Sequence, residues 1–371
     1  MNEDSRDRTG RAPRRRRGVR LAAVASAAVA VVAGGAFWLS GGYDAWSGTG
    51  SALDGACEGD LAADRVRALL PDTGLTVSSG LRQDGWYCSV SAPGGADGAG
   101  FEVRMRNAEE PFGPDAAIDP GEGAVPLGGG WTGSFSYGVG GADGATPADG
   151  ANRTDGARGR VVLLLDCGDE SGDGLLAAAD GRLAGGRSFE DGAARARLVS
   201  ALTDTALSYA RRTGCDAAGG TERVREVAAP VVDARRPLAE ASGTCRGIVD
   251  AATARRWGAG TAAETPAEPA PVERCVLGSG LGTPLYTFTA SYGPYGEAAL
   301  SGGGGALPAG GAADSPSGHY RMSATCPGAD GTGVYEIVPD DGLALDHASL
   351  RAALKSFAAA SAALHHCQAP S

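Results

Sequence analysis

Lysine and histidine are scarce in this sequence, and their scarcity limits the chemistry that the chain can perform. Of 371 residues, only Lys355 is a lysine, four are histidines, and aromatic residues make up 6%. Residues 57–215 contain no histidine, which excludes a Ser-His-Asp or Cys-His site confined to that part. The Gly-x-Ser-x-Gly, Ser-x-x-Lys and Cys-x-x-Cys patterns are also missing. We therefore predict neither catalytic residues nor a cofactor.

An excess of positive charge is missing as well. The 33 basic residues are outnumbered by 44 acidic ones, which leaves a net charge of −11. Nucleic-acid binding depends on cationic side chains that neutralise phosphates, so we expect no nucleic-acid partner. What the chain has in excess is glycine, with 61 residues beside 20 prolines. This composition predicts long loops between the regular elements.

The N-terminal segment has the composition of a membrane anchor. Residues 1–20 hold eight arginines, and no charged residue follows until Asp44. A helix over 21–39 would be about 28 Å long at about 1.5 Å per residue, close to the hydrocarbon thickness of a bilayer. The positive-inside rule then places 1–20 in the cytoplasm. We predict a single-pass plasma-membrane protein that contacts the lipid bilayer through a signal-anchor helix at 21–40, with its C-terminal part extracellular.

Two other interpretations of this segment compete with the anchor. A cleaved secretory or twin-arginine signal would also place arginines before an Ala-rich apolar stretch. The residues at the end of this stretch, however, lack a clear cleavage site, in which two small residues are separated by one residue of any type. A lipoprotein is disfavoured because the first cysteine, Cys57, lies well beyond the apolar stretch.

The cysteines indicate both disulfides and an internal duplication. An even number of cysteines on the oxidising side of a membrane predicts disulfide bonds. The first four and the last four cysteines are also spaced alike, because in each set the middle of the three intervals is the longest. The segments 198–215 and 350–367 align without a gap, with six of eighteen positions identical, and the shared leucines and alanines fall on one helix face. The cysteines are Cys57, Cys88, Cys167, Cys215, Cys245, Cys275, Cys326 and Cys367.

The duplication predicts an α+β fold with two tandem modules. Each module would be a small antiparallel sheet of three to five strands, packed with its first and last helices and stapled by two disulfides. The antiparallel arrangement follows because turns and Gly-rich loops, not crossover helices, join the strands. The predicted boundaries are a linker at 41–56, module 1 at 57–215, a linker at 216–244, module 2 at 245–367 and a tail at 368–371.

Four cysteines in a module allow three disulfide connectivities. We favour a pairing of the first cysteine with the second and of the third with the fourth. Each bridge then connects a helix end to a neighbouring strand without crossing the Gly-rich insertion. The predicted pairs are Cys57–Cys88, Cys167–Cys215, Cys245–Cys275 and Cys326–Cys367.

One string resembles an EF-hand calcium loop, with oxygen-bearing side chains at positions 1, 3, 5 and 12. A strand, not a helix, leads into it, and Gly/Asp-rich turns recur in this chain, so we favour a solvated turn and predict no metal site. The calcium-like residues are Asp169, Ser171, Asp173 and Asp180.

A second metal candidate is the pair His365 and His366 beside Cys367, where a favourable interaction with the helix dipole is the preferred interpretation.

Trp131 is the one candidate for ligand contact. It precedes Phe135, Tyr137 and Val139, whose alternation predicts a strand facing a core. Trp131 between glycine and threonine either joins that core or forms an exposed stacking platform for a sugar or a peptide.

The order helix-Cys, strand-Cys, strand-Cys, helix-Cys behind an anchor, with Leu-Gly-Gly-Gly-Trp at 127–131, resembles uncharacterised actinobacterial cell-envelope proteins, many of them lipoproteins or single-pass proteins. This chain departs from the lipoprotein members because it lacks an acylated cysteine. The resemblance implies location and architecture but no activity. We expect a non-catalytic binding, sensing or scaffolding ectodomain with an envelope protein or ligand as partner; the alternative is an extracellular hydrolase of unrecognised type.

Overall fold

The computed structural model describes most of the chain after residue 52. The predicted membrane helix at 21–40 lies outside the described residues, as do the tail at 1–20 and the first part of the 41–56 linker. No helix in the described part is long and apolar enough to cross a membrane. The described residues are 53–71, 74–82, 85–94, 98–110, 120–121, 123–139, 154–168, 174–217, 219–220, 222–231, 234–302, 305–311 and 313–371.

Two sheets and five α-helices make up the described part. The helices are α1 (Ala63–Leu69), α2 (Gly192–Thr213), α3 (Ala251–Trp257), α4 (Pro294–Gly302) and α5 (His347–Leu364). The strands are β1 (Thr76–Arg82), β2 (Gly85–Ser91), β3 (Gly100–Asn107), β4 (Val125–Pro126), β5 (Gly133–Val139), β6 (Thr154–Asp166), β7 (Gly174–Arg182), β8 (Arg236–Pro237), β9 (Ala259–Glu264), β10 (Val272–Ser279), β11 (Pro284–Ser291), β12 (Leu307–Pro308), β13 (Tyr320–Thr325) and β14 (Thr332–Pro339).

Each sheet has seven strands. The N-terminal sheet has the order β1-β2-β3-β7-β6-β5-β4, and the C-terminal sheet has the order β12-β13-β14-β11-β10-β9-β8. All pairs are antiparallel except β12 with β13. The predicted fold class, with three to five strands per sheet, is therefore wrong; the membrane helix that was predicted ahead of the sheets lies outside the described residues. The sheets are larger than expected because four strands were not predicted, namely β1, β7, β9 and β14, and because short strands from the insertions and from the 216–244 linker extend the edges.

The two sheets share a common five-strand core. The order β1-β2-β3-β7-β6 in the first half corresponds to β9-β10-β11-β14-β13 in the second half. In each half the second cysteine lies in the second of these strands. The third cysteine directly follows the last strand in this order, which is β6 in the first half and β13 in the second half. The same connectivity in both halves is what an internal duplication produces.

The closing helices α2 and α5 bury the same face, as their shared sequence predicts. Asp191 and Asp346 cap their N-termini by accepting backbone hydrogen bonds, which satisfies donors that have no partner within the helix. The predicted contact residues are all buried: Leu198, Ala201, Leu202 and Ala206 in α2, and Leu350, Ala353, Leu354 and Ala358 in α5.

Strands β6 and β7 join the halves into one core because they are buried on both faces. Val161, Leu163 and Ala177 belong to the core beneath α2. The alternate residues Val162, Leu164, Leu176 and Ala178 belong instead to the core of the second half, together with side chains such as Tyr292 and Ala329. Leu53–Ser371 consequently form one compact unit.

The four disulfides confirm the predicted pairing. The bridges are Cys57–Cys88, Cys167–Cys215, Cys245–Cys275 and Cys326–Cys367, and no described cysteine is free.

Candidate functional site

Trp131 is a buried side chain, not an exposed platform. It is 7% exposed, and its indole N–H donates a 2.9 Å hydrogen bond to the carbonyl of Glu222. Gly219 and Gly220 lie so close to the ring that neither position has room for a Cβ atom. Phe135 in β5 is fully buried, so the core interpretation of this strand is correct for that residue. Trp131 serves to hold the segment after α2 against the first half.

The calcium-like string does not converge in the described part of the chain. Asp169, Ser171 and Asp173 lie outside the described residues. Asp180 lies within β7, where its carboxylate forms ion pairs of 2.7 Å with Arg160 and 3.5 Å with Arg104. Across the described ranges, no group of three or more His, Cys, Asp or Glu side chains is arranged to hold a metal ion.

A groove of about 340 Å³ lies where the two halves meet, and we call it the junction groove. One wall is β4 with the turn that follows it, and a second wall is the segment 222–228. Pro266 and Glu268 of the second half complete the lining. Both halves and the segment that connects them therefore contribute to one open site.

The segment 222–228 is fixed near its ends and unpaired in its middle. Glu222 donates its backbone N–H to the Gly129 carbonyl at 3.3 Å and accepts the Trp131 bond. At the other end, the buried Arg195 donates from Nε to the Val227 carbonyl at 2.9 Å. Between these points, the backbone groups of residues 223–226 form no hydrogen bond to any described residue. They are therefore available to a ligand.

The side chains of the junction groove combine an apolar lining with charges of both signs. Val125, Leu127 and Val224 are buried at the groove. Arg223 and Arg225 are exposed, and neither forms an ion pair with a described residue. Three acids complete the set: Glu222, Glu226 and Glu268. This arrangement suits a ligand that carries its own mixed charges.

A second constellation, which we call the His365 cluster, is buried in the second half. His365 directs Nδ1 toward Asp330 at 2.7 Å and Nε2 toward Glu273 at 2.8 Å. The His365 and Glu273 side chains are 0% exposed and that of Asp330 is 13% exposed. The ring of Tyr292 stacks on the imidazole with 3.5 Å between centroids, and Ser361 donates to the second oxygen of Glu273 at 2.6 Å.

The carboxylates keep the buried histidine charged. Burial alone lowers the pKa of His365, but the hydrogen bonds and negative charges of Asp330 and Glu273 outweigh it and raise the pKa to about 9. Burial also raises the pKa of Tyr292, with the negative charge of Glu273 adding to the effect. Tyr335, which packs edge-on against Tyr292, has its pKa raised to about 12 by the same burial.

The first half has no such cluster at the equivalent position. Glu273 lies two residues before Cys275, and the residue two positions before Cys88 is Trp86. The Trp86 ring packs against Tyr209 with 5.0 Å between ring centroids. In the aligned closing helices, Ser361 occupies the place of Tyr209. An aromatic pair in one half therefore corresponds to a charged, hydrogen-bonded group in the other.

The acid–base groups of the His365 cluster are buried, and of His365, Glu273 and Asp330 only Asp330 reaches solvent, with 13% of its side chain exposed. The carboxylates approach opposite edges of the imidazole ring, so one ion could not contact all three side chains. The sequence singled out His365 as a metal candidate beside His366, with an interaction with the helix dipole as the preferred interpretation. Glu273 and Asp330 were missed because they come from a strand and a turn that are far from His365 in sequence, and only the strand order brings them together.

Comparison with protein-family models, with curated proteins and with solved structures gives no match. The function is therefore inferred from the geometry of this chain alone.

Proposed function

We propose that the protein is a non-catalytic binding protein of the cell envelope, and that its junction groove holds an extended peptide segment of a partner. The observation that carries this proposal is the stretch 223–226, whose backbone donors and acceptors line an open groove without an internal hydrogen-bond partner. Such groups are the ones with which an added peptide strand binds.

The location outside the cytoplasm is supported by the four disulfides. Disulfides persist in oxidising compartments and are rare where thiol reductants are maintained. A binding role without catalysis is supported by the His365 cluster, in which the His365 and Glu273 side chains are 0% exposed.

The charge pattern favours a peptide over a polyanion as the ligand. Arg223 and Arg225 could pair with carboxylates of the ligand, and guanidinium–carboxylate hydrogen bonds are among the stronger ones that proteins form. Glu222, Glu226 and Glu268 would repel a uniformly anionic polymer while accepting a basic side chain. Pro126, which also lines the groove, has no N–H that would need a partner.

The test uses the full chain and an array of synthetic ten-residue peptides with acidic, basic and mixed sequences. We expect selective binding of mixed-charge peptides, and a loss of at least tenfold in affinity for the double variant Arg223→Ala/Arg225→Ala. Arg246→Ala serves as the matched control, because Arg246 is an exposed arginine away from the groove. Binding to no peptide, or equal losses in the two variants, would overturn the proposal.

A further inference from the structure

The two sheets have four outer edges, and three of them end in very short strands that contain proline. These strands are two residues long in each case. Proline cannot donate to a neighbouring strand, and short edge strands give an incoming strand little to pair with. The three protected edges are β4 (Val125–Pro126), β8 (Arg236–Pro237) and β12 (Leu307–Pro308).

The fourth edge, β1, carries none of these protections. It is seven residues long, contains no proline and pairs with β2 in an unbroken register from Thr76 to Arg82. On its outer side, the backbone of β1 has no hydrogen-bond partner among the described residues. A long, regular edge of this kind is a template for another strand.

The exposed side chains of β1 also indicate that a surface is left uncovered. Leu81 is 82% exposed although it lies opposite the buried Trp86 of β2. Val77, four residues earlier on the same face, is only partly buried against the core. The two apolar residues flank Ser79, which is exposed.

We propose that two copies of this chain associate through β1, antiparallel about a two-fold axis at Ser79. In this register Val77 of each copy lies opposite Leu81 of the other, which forms two apolar cross-strand pairs. Thr76 of each copy lies opposite Arg82 of the other. A contact in which the same surface is used by both copies is the usual form of a two-fold dimer.

Charge is compatible with this contact. The chain has a net charge of −11, so two copies repel each other overall. Strand β1, however, contains no acidic residue, and its one charged side chain, Arg82, lies over the ring of Tyr87 at 3.8 Å. The proposed register brings no two like charges directly opposite each other.

The two-fold axis makes a charge-pairing experiment possible. Ser79→Asp and Ser79→Lys each place two like charges directly opposite each other in the dimer, which destabilises a strand pair. We expect sedimentation equilibrium of the full chain to show a dimer for the wild type and at least tenfold weaker association for each variant alone. An equimolar mixture of the two variants should recover the dimer, because Asp then faces Lys.

Leu281→Asp is the control for these variants. Leu281 is 98% exposed on the β10–β11 hairpin, so a charge there should leave the association unchanged, whereas Leu81→Asp should weaken it. A monomeric wild type, which would also result if another segment of the chain covers β1, overturns the proposal. Failure of the Asp–Lys mixture to associate overturns the register.

Discussion

His365 is the residue whose ionisation matters most to the fold. Its imidazolium lies between Glu273 and Asp330, with Tyr292 stacked on the ring and Tyr335 behind it. Asp330 belongs to the turn at 328–330 that packs on β6 and β7 of the first half. The charged hydrogen bonds therefore hold the closing helix α5 to the turn that joins the halves.

Stability should fall as pH rises through the range in which His365 loses its proton. The pKa of His365 is about 9 in the folded protein against 6.5 for the free side chain. Because the folded value is raised, the stabilisation is complete below pH 6.5 and is lost as pH rises toward about 9. The shift corresponds to roughly 3 kcal/mol. Urea unfolding between pH 6 and 9.5, with the disulfides intact, measures it.

His365→Gln should be less stable than the wild type at pH 6 and should lose most of the pH dependence in this range. His366→Gln is the matched control, because His366 is the adjacent residue and is exposed; its pH dependence should equal that of the wild type. An unchanged pH profile in His365→Gln would show that other groups cause the effect.

The closing helices provide the element that sequence reasoning described best. The periodic leucines and alanines predicted their buried face, and Leu202 and Leu354 are both 0% exposed. Replacing either leucine by alanine should lower the free energy of unfolding by about 2–5 kcal/mol, because a cavity remains in a packed core. Chemical denaturation measures the loss. Leu281→Ala, at an exposed hairpin residue, should change stability by no more than about 0.5 kcal/mol.

The disulfide between Cys167 and Cys215 ties the end of β6 to the end of α2. Replacing both cysteines by alanine should lower the free energy of unfolding by about 2–5 kcal/mol, since the unfolded chain regains the freedom of a 48-residue loop. Denaturant unfolding of the double variant measures this loss. A variant as stable as the wild type would show that the surrounding core suffices without the bridge.

Strands were predicted less completely than helices, for identifiable reasons. The strands that were predicted in the first half, β2, β3 and β6, are rich in β-branched and aromatic or large apolar residues. Strand β7 is rich in alanine, which has little preference for strands, and it becomes a strand because β3 and β6 pair with it on both sides. The continuous apolar run Val161–Leu165 was a signal of burial on both faces.

At the scale of the whole molecule, the halves should unfold together because they share a core. A Cβ on Gly174 of β7 would overlap Ala329 in the turn of the second half, so Gly174→Ala should lower the stability of the whole unit by about 1–3 kcal/mol. Calorimetry should show one transition in both proteins. Gly280→Ala, where no atom lies within 4 Å of the added Cβ, is the control, and two separate transitions would contradict the shared core.

The duplication could be read from the sequence, but the junction groove could not. Repeated cysteine spacing and a repeated helix face are local patterns, and they indicated the equivalent elements of the two halves. The groove depends on how Trp131 anchors Glu222 and how Arg195 anchors Val227. These contacts join residues that are distant in sequence and carry no local pattern.

Hydrogen–deuterium exchange of the full chain, with and without a mixed-charge peptide from the array, is the measurement that decides whether the junction groove binds peptide. The backbone N–H groups of 223–226 have no internal hydrogen-bond partner among the described residues, so they should exchange fast in the free protein. The peptide should slow exchange there and in residues 125–129 on the facing wall. Unchanged exchange in both segments, or protection confined to β1 or another surface, would contradict the junction groove as the binding site.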